Sequence, residues 1–479
     1  MKTNLKTMAV ALLMTAPIAI NAQTQGGGIS PQMVEKMQQA QMQKPAQKAL
    51  FNALAANKID DLAKNFQNQG PVDTHFSIET PSQSITDQKS SGRCWMFSGF
   101  NVLRANFAKR TDTLAGFKPK DSGVQLELSQ DFLFFYDQLE KANLFLQGII
   151  DTAKKPIDDQ RVQFFFKAPI SDGGTFCGVA DLADKYGLVP KEAMGETFSA
   201  DNTSKMAQIV KSKLREQGLE LREMVNGGKK AADVQKRKND MLADIYNMLA
   251  LTLGEPVKQF AYTFRDNNGK PLAPPQTFTP RQFYETVVGG PINGSFIMVM
   301  NDPRRPYHKT YEVEYDRHVY DGHNWVYLNL PMEDIEQMAI ASLRDGTKLY
   351  SSYDVAKQLD RARGYCDLNN YDYESLFATS FNMDKAQRIS TFDSGSTHAM
   401  TLTAVDLDAD GKPTKWKVEN SWGASWGQKG CLIMTAPWFR EYMFRLVVDK
   451  KYVPQQLLDE ARQKPVMVMP EDPLFTMDE

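Results

Sequence analysis

The sequence predicts an α+β protein built from several structural units, and three observations support this. Amphipathic helical spacing recurs through roughly the first 290 residues, while short alternating apolar runs dominate the rest. The 479-residue length is enough for two or three units. With 42% hydrophobic residues the chain can bury a large core, and its net charge of −2 gives no reason to expect a nucleic-acid partner.

The N-terminal residues have the layout of a secretory signal peptide. Lys2 and Lys6 precede an apolar run at 8–20, and small residues follow up to Ala22. The run is about 13 residues, short of the roughly 20 that a membrane-spanning helix needs. We therefore expect residues 1–22 to be removed near Ala22 and the chain to be exported, periplasmic or secreted, without membrane insertion. Loss of the two lysines changes the net charge from −2 to −4.

Two stretches of helical spacing predict helical additions to the main body. An Ala-, Gln- and Lys-rich stretch, interrupted near Pro45, predicts two short helices within an N-terminal extension at 23–70. Long amphipathic patterns separated by Gly227-Gly228 predict a helical region at 201–290. Its many lysines and arginines are typical of a solvated helix face.

Strands are predicted over 291–455. Short runs rich in β-branched and aromatic residues recur there, among them SFIMVMN, YEVEY, WVYLNL, HAMTLTAVDL, KWKVENSW and CLIMTA.

The segment DQKSSGRCWMFSGFNVLRANFAKR predicts a buried helix that begins at about Cys94. Gly92 permits a tight turn before the helix, and apolar residues follow at the spacing of one helix face: Met96, Phe100, Leu103 and Phe107. A thiol at a helix N-terminus lies at the positive end of the helix dipole, which favours the thiolate.

The chain has four cysteines, which is few for an exported protein. If Cys94 remains a free thiol, at most one disulfide can form among Cys177, Cys366 and Cys431. The sequence alone leaves open whether one forms.

Three short motifs supply the groups that nucleophilic catalysis at an acyl carbon requires. Gln88 stands six residues before Cys94, His398 lies in Ser-Thr-His-Ala-Met, and Asn420 lies in Glu-Asn-Ser-Trp-Gly. Such catalysis needs a thiolate, a base, a group that orients the base, and donors for an oxyanion.

In this order the motifs resemble those of the papain-like cysteine peptidases. The segments DQKSSGRCWMFSGFNVLR, DGGTFCGVADLADKYGLVPKEAM and NYDYESLFATSFNMDKAQRIS are similar to bleomycin hydrolase and bacterial aminopeptidase C, from about residue 70 to the end. His398 follows Cys94 by 304 residues (398 − 94), against roughly 130–150 in papain itself. The helical region at 201–290 would therefore be an insertion.

The resemblance implies a papain-like fold. Residues 71–200 would form the helical half with Cys94, and 291–455 the β-barrel-like half with His398 and Asn420. Residues 456–479 would form a C-terminal arm into the active-site cleft, within a homohexamer that acts on peptides.

The resemblance also implies roles for the motif residues. Cys94 would attack the scissile carbonyl, and His398 would hold its proton, the two resting as an imidazolium–thiolate pair. Asn420 would accept a hydrogen bond from the ring of His398 and orient it. The side-chain amide of Gln88 and the backbone N–H of Cys94 would form the oxyanion hole.

Further residues are expected to act around this group. Trp422 would shield the His398–Asn420 hydrogen bond from water. Gly173 and Gly174 would pass a substrate backbone along the cleft, although an ordinary turn fits them nearly as well. The spacing of His318 and His323, with Asp316 and Asp321, matches no standard zinc pattern, and neither metal nor cofactor is expected.

In the family that the chain resembles, the terminal carboxylate of the arm meets the substrate's free amine, and this role would fall to Glu479. Met469-Pro470 and Asp472-Pro473 match the family's arm, but the tip at 475–479 is bulkier and carries two acids. Either the extra carboxylates strengthen capture of an ammonium group, or the tip changes how many residues fit, giving dipeptide release. An endopeptidase with a displaced arm and a binding protein on an inactive peptidase fold remain alternatives.

Overall fold

The computed structural model describes residues 27–42, 47–111, 114, 117 and 123–475. The predicted signal peptide, the interruption near Pro45 and the tip with Glu479 lie outside the described residues. The chain divides into two compact units, with the boundary between Lys64 and Asn65. The finer boundaries drawn above stay predictions.

The first unit contains helices α1 (Pro31–Met42), α2 (Gln47–Ala56) and α3 (Ile59–Ala63). The first two confirm the helical spacing of this stretch. The third has Asp60 and Asp61 in its first turn, where negative side chains interact favourably with the helix dipole.

The first part of the second unit is mostly helical. After the short strand β1 (Ile78–Glu79) come α4 (Cys94–Arg110), α5 (Gln130–Asp151), α6 (Gln160–Lys167), α7 (Phe176–Tyr186) and α8 (Phe198–Asp201). Helix α4 begins at Cys94 as predicted, but it is buried on more than one face, because nearly every residue from Trp95 to Arg104 is inaccessible. Gly99 permits the close approach of α7, since a Cβ at this position would lie 2.7 Å from the side chain of Val179.

The region predicted to be a helical insertion contains two long helices. Helices α9 (Thr203–Asn226) and α10 (Ala231–Leu253) are long, and Gly227-Gly228 separates them as predicted. Both pack against α5. A two-stranded sheet of β2 (Phe260–Tyr262) and β3 (Gln276–Phe278) follows, and then α11 (Pro280–Val287), which has a capping box at Thr279 and Gln282.

The second half of the unit consists of a mixed sheet and several helices. Its strands are β4 (Phe296–Met300), β5 (Lys309–Val313), β6 (Val326–Asn329), β7 (Leu349–Tyr353), β8 (Leu359–Asp360), β9 (Tyr365–Cys366), β10 (His398–Leu407), β11 (Pro413–Glu419), β12 (Cys431–Thr435), β13 (Met443–Asp449) and β14 (Val466–Val468). Its helices are α12 (Met332–Arg344), α13 (Tyr373–Phe377), α14 (Lys385–Ser390), α15 (Ala436–Tyr442) and α16 (Gln455–Ala461). Single 3₁₀ turns at Phe66–Asn68 and Lys450–Tyr452 complete the described elements.

The sheet confirms the α+β class. Its order is β14-β5-β6-β4-β13-β7-β10-β11-β12-β9-β8, with β1 paired to β10. The six runs that predicted strands all contain strands, whereas the central strands β7 and β13 were not predicted. Both are buried along nearly their whole length, so they lack the polar alternation that marks a half-exposed strand.

The segment before the C-terminus folds back onto this sheet. Strand β14 runs parallel to β5, and Leu474 is completely buried in the core that the helical half shares. Within the described part of the chain, no helix is both long and apolar enough to cross a membrane.

Candidate active site

Cys94 lies at the first turn of α4, beside the first residues of β10. The N–H groups of Met96 and Phe97 both bond to the carbonyl of Arg93, which starts the helix. The backbone N–H of Ala399 donates to the Sγ atom of Cys94 at 3.5 Å. The fold thus brings the thiol next to His398, which lies 304 residues later in the chain (398 − 94).

A buried ion cluster connects α4 to the end of β11. Glu419 accepts from the Arg104 guanidinium at 3.1 Å and from the Lys348 ammonium at 2.8 Å, and all three side chains are almost fully buried. Buried charges are stable only when they are paired in this way. Asn420 directly follows Glu419, so the ion cluster fixes the position of Asn420 relative to the helix that carries Cys94.

His398 and Asn420 form a direct hydrogen bond. The Nε2 atom of His398 lies 2.8 Å from the Oδ1 atom of Asn420, and both residues are buried. The amide oxygen also accepts from the backbone N–H of Ser421 at 2.8 Å, which fixes its orientation. This bond leaves the Nδ1 atom of the ring for a second partner, as a proton-accepting base requires.

The environment of His398 disfavours its charged form. Burial lowers the pKa of His398 to about 4, and the hydrogen bond with Asn420 opposes this shift without reversing it. An imidazolium at this place therefore requires a neighbouring negative charge, which a Cys94 thiolate would supply. The predicted imidazolium–thiolate pair depends on that mutual stabilisation.

Trp422 covers the ring of His398. The two ring centroids are 4.9 Å apart, with their planes inclined by 28°. Trp426 packs edge-on against Trp422, and the Arg361 guanidinium lies 5.8 Å from the indole centroid. The indole of Trp422 thus contacts the imidazole ring of His398, as its predicted shielding role requires.

Gln88 is linked to the His398–Asn420 pair through Ser421, the residue that follows Asn420. Its backbone N–H donates to the carbonyl of Ser421 at 2.8 Å. The Oε1 atom of its side chain accepts from the Ser421 hydroxyl at 2.6 Å, and its Nε2 atom donates to the carbonyl of Ser91 at 2.6 Å. The amide plane is therefore fixed on both sides.

Gly173 and Gly174 lie beside the residue that follows Cys94. The indole N–H of Trp95 donates to the carbonyl of Asp172 at 2.9 Å. A Cβ at position 174 would lie 2.2 Å from the ring of His318 and 2.8 Å from Trp95, so only glycine fits.

The side chain of His318 packs against this glycine segment. Its Nδ1 atom lies 2.5 Å from the buried carboxylate of Asp137, and its Nε2 atom accepts from the Thr175 N–H at 3.3 Å. Lys141 also bonds Asp137 and donates to the carbonyl of Gly173 at 2.7 Å. These contacts could not be predicted from the sequence, because Asp137 and His318 are 181 residues apart in the chain.

A cavity of about 210 Å³ opens along the glycine segment. Gly173, Gly174 and His318 line one part of it, and Pro470 and Phe475 of the C-terminal segment line another. This segment is held by Asp472, which accepts from Arg304 at 2.7 Å and from Arg305 at 2.5 Å. Glu479 lies outside the described residues.

The remaining candidate ligands do not form a metal centre. Within the described ranges, no group of three or more histidine, cysteine or acidic side chains could hold a metal ion. His323 instead bonds Asp181 at 2.7 Å. All four cysteines are free thiols, and burial raises the pKa of Cys366 above its usual value.

His398, which opens β10, and Asn420, which directly follows β11, place an oriented base beside the thiol of Cys94, and this is the arrangement of a cysteine peptidase. The model of the Peptidase C1-like family matches residues 28–475, and the chain belongs to this family.

Curated relatives and a solved structure agree with this assignment. The chain is 37% identical to aminopeptidase C from Lactobacillus delbrueckii subsp. lactis, over 90% of this chain and 94% of that protein. It is 37% identical to human bleomycin hydrolase, over 84% of this chain and 88% of that protein. The crystal structure of PepW from Lactobacillus rhamnosis HN001 superposes with a TM-score of 0.86 at 35% identity, covering 94% and 99% of the two chains. These relatives confirm the predicted bleomycin hydrolase and aminopeptidase C family.

Proposed function

We propose that this protein is an exported cysteine aminopeptidase that removes N-terminal residues from peptides. One observation carries the proposal: the thiol of Cys94, the His398–Asn420 pair and the amide of Gln88 converge at the junction of the two halves of the fold. The aminopeptidase names of several relatives favour this specificity.

The first step forms a thioacyl-enzyme. The Cys94 sulfur attacks the scissile carbonyl carbon, its proton passes to His398, and the carbonyl oxygen becomes an oxyanion. An amide NH₂ carries two hydrogens, so Gln88 can donate one to Ser91 and the other to this oxyanion. The Cys94 N–H, at the start of α4, is the second donor.

The second step releases the products. His398 returns the proton to the leaving amine, and the C–N bond breaks. Water, deprotonated by the same ring, then hydrolyses the thioester and regenerates the thiol. Asn420 keeps the ring in one orientation in both steps without adding charge.

The C-terminal arm would give the site its preference for free amino termini. Pro470 and Phe475 already line the cavity beside Gly174, and the ion pairs of Asp472 with Arg304 and Arg305 fasten the arm there. The remaining residues up to Glu479 would extend towards Cys94, where a carboxylate would bind the substrate ammonium. The dipeptide-releasing and endopeptidase alternatives differ in how far this tip reaches.

Export and assembly belong to the same proposal. The pattern of Lys2, the apolar run and Ala22 supports cleavage of a signal peptide, which N-terminal sequencing of the secreted chain would detect. The family resemblance supports a homohexamer, which light scattering would measure. Enclosure in a ring would limit oxidation of the Cys94 thiolate outside the cell.

The products from an unblocked peptide test this function. We expect the reduced chain from Gln23 onward to release single N-terminal residues, and Cys94→Ala to abolish the activity. Cys366→Ser, at a buried thiol of β9, is the matched control and should keep it. Dipeptides would favour the dipeptide-releasing alternative, internal fragments an endopeptidase, and no cleavage by the unaltered chain would refute a peptidase function.

A further inference from the structure

A second charged group lies directly behind Cys94. Arg93 precedes the nucleophile and is completely buried, and its Nη1 atom lies 2.7 Å from the carboxylate of Glu196. The guanidinium also lies over the rings of Phe97 and Phe134, with distances of 5.4 and 5.2 Å to their centroids. A buried arginine depends for its position on the carboxylate that it bonds, here Glu196, and the buried Asp131 carboxylate interacts electrostatically with both members of this pair.

This ion pair connects to the oxyanion side of the site through a chain of hydrogen bonds. The Nε atom of Arg93 donates to the Ser91 hydroxyl at 3.1 Å. The same hydroxyl donates to the backbone carbonyl of Gln88 at 2.6 Å, and the Gln88 amide donates to the carbonyl of Ser91 at 2.6 Å. Arg93 and Ser91 thus link Glu196 to the Gln88 amide that would stabilise the oxyanion.

Other contacts from the same region hold the same loop. The N–H of Gly92 donates to the Asp172 carboxylate at 2.6 Å, and the Thr203 hydroxyl bonds that carboxylate as well. The N–H of Ser90 donates to the carbonyl of Asp201 at 2.9 Å. Asp201, at the start of the predicted insertion, therefore bonds the 88–93 loop directly, and Thr203 is linked to the loop through Asp172.

We infer that Glu196, through its ion pair with Arg93, is a positioning residue that holds the Gln88 amide in place for the peptidase reaction. This inference rests on the proposed oxyanion role of Gln88. The segment just before the predicted insertion then contributes to catalysis, since its Glu196 carboxylate orders the 88–93 loop.

The physical basis is the sensitivity of oxyanion stabilisation to geometry. A fixed donor lowers the barrier only when it points to the position that the oxyanion will occupy. Glu196→Gln keeps the shape of the side chain but removes its charge, so Arg93 loses the carboxylate that its Nη1 atom bonds. The Ser91 hydroxyl then loses its fixed donor, and the Gln88 amide can leave its orientation.

The test compares turnover with thiol reactivity. For Glu196→Gln we expect kcat on a free-amine aminoacyl substrate to fall about tenfold or more, with KM changed less than about twofold. The rate of Cys94 alkylation by iodoacetamide should stay within about twofold, because that reaction forms no oxyanion. Glu220→Gln, which breaks the exposed ion pair with Arg237, is the matched control and should leave both rates unchanged.

Ser91→Ala provides a second variant that removes only the hydroxyl link. Its kcat should also fall, and the double variant with Glu196→Gln should lose less than the product of the two single losses, because both act through Gln88. Unchanged kcat in Glu196→Gln, or an alkylation rate that falls in parallel with kcat and Tm, would overturn the inference. If Gln88→Ala lowers kcat while Glu196→Gln does not, the inference alone fails. An unaffected Gln88→Ala would refute the oxyanion role as well.

Discussion

At the scale of single residues, the His398 ring shows how burial and catalysis depend on each other. A buried ring next to a neutral amide is a poor place for a positive charge, and burial lowers the pKa of His398 to about 4. The same burial strengthens the hydrogen bond to Asn420 and excludes water under Trp422. The site therefore favours the neutral ring unless the negative charge of a Cys94 thiolate stabilises the imidazolium.

This pKa predicts a pH-dependent loss of stability. Since the folded pKa of about 4 lies below the ordinary 6.5, the unfolded chain binds this proton more readily between these values. His398 therefore destabilises the fold as pH falls from 6.5 towards 4, by on the order of 3 kcal/mol. Unfolding midpoints of the unaltered chain and of His398→Gln should converge as the pH falls through this window. Curves that stay parallel through this window would contradict it.

The sequence could predict some site residues and not others. Cys94, His398 and Asn420 stand in local motifs, and Ser421 could have been inferred from its place in the Asn-Ser-Trp motif. Glu196 could not be predicted, because only its contact with Arg93, 103 residues away in the chain, indicates a role.

At the scale of elements, the site depends on where helices and strands begin. Helix α4 starts at Cys94 and β10 starts at His398, so each reactive group lies at an end, where the chain enters the packed core. Amphipathic spacing predicts α9 and α10 well, because each has a solvated face. Fully buried strands such as β13 escape prediction, since their apolar runs carry no alternation.

The glycine segment beneath the cavity provides an element-scale prediction. Gly174→Ala would place a methyl group 2.2 Å from the ring of His318, so the glycine segment or this ring, both of which line the cavity, must shift. We expect KM for peptide substrates to rise several-fold and the free energy of unfolding to fall by about 1–3 kcal/mol. Kinetics and chemical denaturation would measure both. Gly70→Ala is the control, because a Cβ there meets no atom within 4 Å, and equal effects of the two changes would refute the prediction.

At the scale of the whole molecule, the segment before the C-terminus is packed into the core and lines the cavity beside the glycine segment. Leu474 is buried in the core, and the Phe475 ring lies 5.5 Å from the buried guanidinium of Arg445. Strand β14 adds backbone pairing to β5. An arm in the cleft stays a prediction from the family resemblance, whereas the ion pairs that hold Asp472, such as the one with Arg304, could not be recognised from the sequence.

The most direct test of the account is the preference for a free amine in chains with and without the tip. We expect kcat/KM for free-amine aminoacyl substrates to exceed that for the N-acetylated forms by on the order of 10- to 100-fold, the range of a charge-assisted hydrogen bond. Removal of Thr476–Glu479 should bring this ratio close to one while Cys94-dependent hydrolysis persists. A ratio that is unchanged by the truncation would contradict the claim that the chain's own C-terminus reads the substrate amine.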